Sequence, residues 1–212
     1  MRLKNFFVVF GLLVLAISLT SFKWGKLNSE TGLEEIKNGF YIETDDQGRL
    51  ISEGNYKNGL KEARWCYYFL IDSLFDDQTE QLAYARKFLL RKEGKYKTGS
   101  QTHYWKCYFD KGNLEAEGWF LKGAKDKFWK YYNFEGQVLS EGHYSQDKKD
   151  GWWREYSPKK EIMQKGQYTK GKKVGFWQTF QHGELIAVSK YIDGQCKHTW
   201  TSYEDYLNWK KD

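Results

Sequence analysis

The sequence predicts an all-β protein: an elongated, single-layer, twisted antiparallel sheet of about six β-hairpin repeats. Three observations predict it. Aromatic residues are 19% of a 212-residue chain whose hydrophobic residues total 40%, with 20 Gly and 1 Pro. That is too aromatic for a disordered segment and too poor in Ala and Leu for a helical bundle, whereas aromatics and glycines suit strands and tight turns. Trp65, Trp105, Trp129, Trp153, Trp177 and Trp200 are spaced 40, 24, 24, 24 and 23 residues apart. Gly54, Gly94, Gly118, Gly142 and Gly166 follow the same rhythm, at 40, 24, 24 and 24. A fixed period of this length marks a repeat architecture, here of period 24.

Each unit reads as two strands joined by tight turns. Folding at Lys111–Gly112 pairs Phe109 with Leu114, Tyr108 with Glu115, Lys106 with Glu117 and Trp105 with Gly118. The next unit, folded at Glu135–Gly136, sets Tyr132 against Leu139, Lys130 against Glu141 and Trp129 against Gly142. Each Trp is then expected to lie in the slot left by the Gly across from it, so that Gly118 serves Trp105 and Gly142 serves Trp129. Opposite charges directly across the ladder contribute about 0.2–1 kcal/mol per pair.

The ends and the one long gap are irregular. Residues 1–22 combine Arg2 and Lys4 with an apolar run from Phe6 to Phe22, which reads as a signal peptide or as a membrane anchor. Ala16-Ile17-Ser18 supplies a small-x-small cleavage pattern, and either reading carries Lys23 onward out of the cytoplasm. Residues 23–40 read as a linker and first partial strand, residues 41–203 as the repeats, and residues 204–212 as a C-terminal cap. Ser202 and Asp205 resemble a capping box for a short terminal helix. Between Trp65 and Gly94 the spacing is 29 residues instead of 13. The excess is even, so a longer hairpin over 69–90 keeps its faces, pairing Phe69 with Leu90 and Leu70 with Leu89. The alternative is a helix over Glu80 to Lys92, with Leu82, Ala85 and Leu89 on one side. Either way Phe69, Leu70, Ile71, Phe88, Leu89 and Leu90 stand outside the repeat outline and form a candidate partner-binding patch.

Blocks such as Asn133-Phe134-Glu135-Gly136-Gln137-Val138-Leu139-Ser140-Glu141-Gly142-His143-Tyr144, then Lys149-Asp150-Gly151-Trp152-Trp153-Arg154-Glu155-Tyr156, resemble the MORN repeat (membrane occupation and recognition nexus), in its bacterial variant. The resemblance spans roughly Tyr41 to Tyr203. It implies hairpin repeats without catalytic residues, and an antitoxin-like label attached to some proteins of that kind. Pro158-Lys159-Lys160 and the Gly-less turn at Asp147 depart from the pattern.

The chemistry-bearing residues point away from an enzyme. No two Cys lie within four residues of each other, as a zinc site requires, and no phosphate-binding loop motif is present. Cys66, Cys107 and Cys196 read as unpaired, small apolar side chains. Glu53, Glu93, Glu117 and Glu141 are repeat positions and read as ladder partners rather than as a general acid and base. Lys and Arg number 34 against 28 Asp and Glu, a net +6 spread along the chain, so no nucleic-acid partner is expected. No catalytic residue, metal or cofactor is expected. The expected function is that of an exported, non-catalytic scaffold in the periplasm, cell envelope or secreted space, contacting another envelope or secreted protein. Membrane contact falls to residues 6–22. The alternatives are lipid-headgroup or cell-wall glycan binding through an aromatic and Lys face, and neutralisation of a toxin.

Overall fold

A computed structural model describes residues 23–24, 36–70, 80, 84–85, 89–157 and 162–210. The expected signal or anchor at residues 1–22 and most of the linker lie outside the described residues. The strands are β1 (Lys23–Trp24), β2 (Gly39–Thr44), β3 (Leu50–Lys57), β4 (Leu60–Tyr68), β5 (Leu90–Lys97), β6 (Ser100–Tyr108) and β7 (Leu114–Leu121). They continue as β8 (Ala124–Tyr132), β9 (Val138–Ser145), β10 (Lys148–Tyr156), β11 (Ile162–Thr169), β12 (Lys172–Gln181), β13 (Glu184–Ile192) and β14 (Gln195–Trp200). One helix, α1 (Tyr203–Trp209), closes the described chain. All the strands form one open sheet in chain order. β2 to β14 are antiparallel throughout, and the two-residue β1 runs parallel to β2.

Two kinds of turn alternate. On one edge, pairs such as Lys122–Gly123 have φ of 51° and 85°, the doubly left-handed geometry of a two-residue hairpin turn. Gln146 and Asp147 adopt it without glycine, at 48° and 62°. There the Asp147 carboxylate accepts the Lys125 backbone N–H at 2.7 Å, and the Asp147 N–H donates to Lys125 O at 3.0 Å. The opposite edge differs from expectation. At the predicted Lys111–Gly112 turn, Gly112 N–H donates to Phe109 O, and Asp110 and Lys111 are the central residues. Gly112, at φ 83°, forms a bulge. The extra residue shifts pairing by one, so Tyr108 faces Leu114 and Tyr132 faces Val138.

Further in, Trp105 pairs with Gly118, Lys106 with Glu117, Trp129 with Gly142 and Lys130 with Glu141, as the charges and glycines require. The slots are used differently from the expected assignment. A Cβ on Gly118 would meet Trp129, and one on Gly142 would meet Trp153, because each indole lies over the glycine of the strand before it. A second set of bulges causes this. Ala63, His103, Lys127, Gly151 and Gly175 stand two residues before the Trp at φ of 59° to 81°. The interruption leaves the carbonyl after the Gly to the indole. Trp65, Trp129, Trp153 and Trp177 Nε1 donate to Asn55, Trp119, His143 and Gln167 O at 2.8–3.1 Å, and Trp105 Nε1 reaches Lys95 O at 3.2 Å. A donor and an acceptor that would be costly to bury alone satisfy each other.

Trp200 breaks the series. It pairs with Val188, which pairs with Gln178, whereas Trp177 pairs with Ser189. The spacing of 23 is odd, so the side chain falls on the other face. There it packs against Tyr206 and Trp209 of α1 at centroid distances of 5.6 and 4.7 Å. Ser202 caps that helix, accepting the Asp205 N–H at 3.1 Å.

The long hairpin over 69–90 is corrected where the insert is described. Glu80, Tyr84 and Ala85 are helical, and Leu89 N–H donates to Ala85 O at 2.9 Å, a helical i to i+4 bond. Strand pairing starts one residue away from expectation, with Tyr68 opposite Leu90. The reason is burial. Four-residue spacing sets Ala85 and Leu89 on one helical side, where both join a cluster of Ile42, Leu50 and Tyr68.

Candidate functional site

The two faces of the sheet are chemically different. One is closed. Trp65, Trp105, Trp129, Trp153 and Trp177 are at most 2% exposed, although no second layer among the described residues covers them. Rings on the same face seal them edge-on: Tyr56, Tyr96, Phe120, Tyr144 and Tyr168 meet successive indoles at 5.0–5.3 Å. Lys61, Lys125, Lys149 and Lys173 Nζ then lie 3.7–4.6 Å above four of the indoles. Each such cation–π contact contributes about 0.5–2 kcal/mol. Burial lowers the pKa of Lys61 and Lys125. Burial pushes the carboxyls of Glu43 and Glu155 up, but hydrogen bonds and lysine charges outweigh it and hold both below the ordinary range. This face is a core made of long side chains.

The other face is open between its two ends. At the first end the insert residues Ala85 and Leu89 cover Ile42, Leu50 and Tyr68. At the last end α1 covers Trp200. Between them, the residue before each repeat Trp points outward: Tyr104, Phe128, Trp152 and Phe176 are 41%, 38%, 60% and 48% exposed. Trp119 pairs with Tyr104, and His143 with Phe128, extending the ring row onto the intervening strands. Beside it runs a charged row in cross-strand register: Lys106, Glu117, Lys130, Glu141, Arg154 and Lys165. Glu141 accepts a hydrogen bond from Arg154 at 3.1 Å and forms a looser ion pair with Lys130 at 3.7 Å. Beyond it, Tyr132 donates to Glu117 at 2.6 Å and Tyr108 to Glu93 at 2.9 Å. Burial and a hydrogen bond to Glu117 push the Tyr104 hydroxyl up to about 12, so it stays a donor at neutral pH. A groove of about 520 Å³ lies on this face, lined by Phe128, His143, Trp152, Arg154, Lys165 and Phe176. A second cleft of about 560 Å³ lies beside α1.

The candidate patch of the insert is divided. Leu89 is 8% exposed and inside the cluster, and Phe69 and Leu90 pack against that cluster. Leu70 is 50% exposed. Ile71 and Phe88 lie outside the described residues. Cys66, Cys107 and Cys196 are unpaired, and burial raises the first two thiols. Among the described residues no three His, Cys, Asp or Glu side chains converge as a metal site would require. No helix among the described residues is long and apolar enough to cross a membrane. The open ring row was the feature missed in the sequence. Its signal was present, since Tyr104, Phe128, Trp152 and Phe176 keep the 24-residue spacing one position ahead of the more conspicuous Trp series.

No family model and no curated protein matches this chain.

Proposed function

We propose that this chain is an exported, non-catalytic binding module of MORN-type hairpin repeats, and that it holds its partner on the open face. The observation that carries this reading is the asymmetry of the sheet. One aromatic series is buried as the core, while a second series of equal spacing is left in water on the opposite face. Exposed rings in a contiguous row mark interaction surfaces. The apolar segment at residues 6–22 supports export or anchoring, and on that reading the open face would meet envelope proteins, secreted proteins and cell-wall polymers. Antitoxin-like neutralisation of a protein met there is the version the resemblance suggests. The carboxylates on the open face are tied to Lys, Arg and Tyr, which supports a binding rather than a catalytic role.

The test compares two surfaces. Phe128→Ser with Trp152→Ser removes the centre of the open row, and Leu70→Glu marks the insert. Crosslinking in whole cells, followed by recovery of the tagged protein, reads both variants against the parent. Loss of crosslinked material in the first variant alone supports the reading. Loss in Leu70→Glu alone moves the site to the insert and overturns it.

A further inference from the structure

Resting on that reading, we propose that the open face binds an extended, carboxylated β-linked polysaccharide, one strand laid across the sheet along the ring row. The row is one ring wide and flanked by hydrogen-bonding side chains. That profile fits a ribbon with flat C–H faces and polar edges, which is the shape of a pyranose chain. A partner helix needs instead a broad apolar trough. The rings also repeat at a useful distance. Phe128, Trp152 and Phe176 stand on β8, β10 and β12, two strands apart. Adjacent strands are ~4.8 Å apart, so successive rings are roughly 9–10 Å apart, the advance of two sugar units in an extended β-linked chain. The charge selects an acidic polymer. Along the charged row, Lys106, Lys130, Arg154 and Lys165 stand against two carboxylates, Glu117 and Glu141, and Lys165 makes no ion pair among the described residues, its Nζ lying 4.8 Å from the Phe180 ring centroid. Four cations against two anions leave an excess of two positive charges beside the rings. Arg154 is 60% exposed, free to donate to Glu141 and to a sugar carboxylate together.

The experiment uses two polymers with the same backbone: carboxymethylcellulose, which is anionic, and hydroxyethylcellulose, which is neutral. Retardation of the folded full-length protein in native gels containing each polymer gives the affinity. Expected are binding to carboxymethylcellulose that weakens as salt is raised, and at least about tenfold weaker binding to the neutral polymer. Trp152→Ala, and separately Arg154→Gln with Lys165→Gln, should each lower affinity for the anionic polymer by about tenfold or more. Phe128→Ser serves if Trp152→Ala fails to match the parent's circular dichroism. Equal binding of both polymers overturns the acidic selection. No retardation of the parent by either polymer overturns the proposal. In that case a protein crosslinked by the parent and lost in the Phe128→Ser, Trp152→Ser variant leaves the open-face reading standing, and no such protein ends both.

Discussion

Replacing Gly142 by alanine adds one methyl group, and the structure makes it one of the costliest methyls available. A Cβ there would come within 2.5 Å of Trp153 Cγ and Cε2. Ordinary carbon contacts need about 3.5–4.0 Å, so the indole must move by roughly 1 Å or more. It cannot move freely. Trp153 is 1% exposed, its Nε1 donates to His143 O at 2.8 Å, and Tyr144 and Tyr168 hold it edge-on at 5.1 and 6.0 Å. Overpacking costs about 1–3 kcal/mol, and loss of the indole hydrogen bond adds about 1 kcal/mol. A destabilisation of about 3 kcal/mol lowers Tm by roughly 6–12 °C in a chain of this size. The control is Gly136→Ala. Among the described residues Gly136 has nothing within 4 Å of the added Cβ, and its φ of 77° opposes the change, so about 1 kcal/mol is expected. Thermal melts followed by near-ultraviolet circular dichroism read both. A Gly142→Ala melt within ~2 °C of the parent would refute the packing of Trp153 on Gly142.

Other substitutions separate further parts of the account. Trp153→Phe should cost about 1 kcal/mol more than Trp200→Phe through hydrogen bonding alone, because Trp200 Nε1 is buried without a partner among the described residues; urea melts of the two compare them. Leu89→Ala should destabilise by about 2–5 kcal/mol, whereas Leu70→Ala should stay within about 0.5 kcal/mol of the parent; equal effects in urea would deny the insert its place in the core. Glu155 is held below its ordinary value of 4.5, so the stability it contributes is present above that pH and is lost as pH falls through the lower folded value. Glu155→Gln should therefore flatten the decline of Tm below about pH 4.5, and an unchanged decline would show that Lys149 and Lys173 do not hold the carboxylate.

The parts of the fold that the sequence made legible are those controlled by parity and charge. Trp105 opposite Gly118 and Lys106 opposite Glu117 follow from counting residues across a turn. What counting missed was left-handed backbone at residues with no compositional mark. Ala63, His103 and Lys127 carry positive φ without being glycine. Their bulges turn each indole onto the preceding glycine and not the following one. Trp200 is legible in principle, since a spacing of 23 must flip the face, but its residue type is the same as that of the five tryptophans on the other face. The helical insert is ambiguous in the sequence because Phe69 to Leu90 also pairs well as a hairpin. Two-residue alternation and four-residue spacing fit the same short apolar run, and burial of Ala85 and Leu89 against Ile42 and Leu50 decides between them. The open face was hidden for a related reason. Trp152 and Trp153 are neighbours of identical type, and only strand geometry tells that one is core and the other 60% exposed.

That division of labour between tryptophans offers the most direct test of the open face. Incorporating 5-fluorotryptophan gives each of the ten Trp a ¹⁹F resonance, assigned by single Trp→Phe variants. The protein is then titrated with carboxymethylcellulose, or with the protein that the parent crosslinks. The account predicts that Trp119 and Trp152 shift on binding, while Trp65, Trp105, Trp129, Trp153 and Trp177 stay in place. Shifts confined to those five buried residues, with Trp119 and Trp152 unmoved, would contradict it.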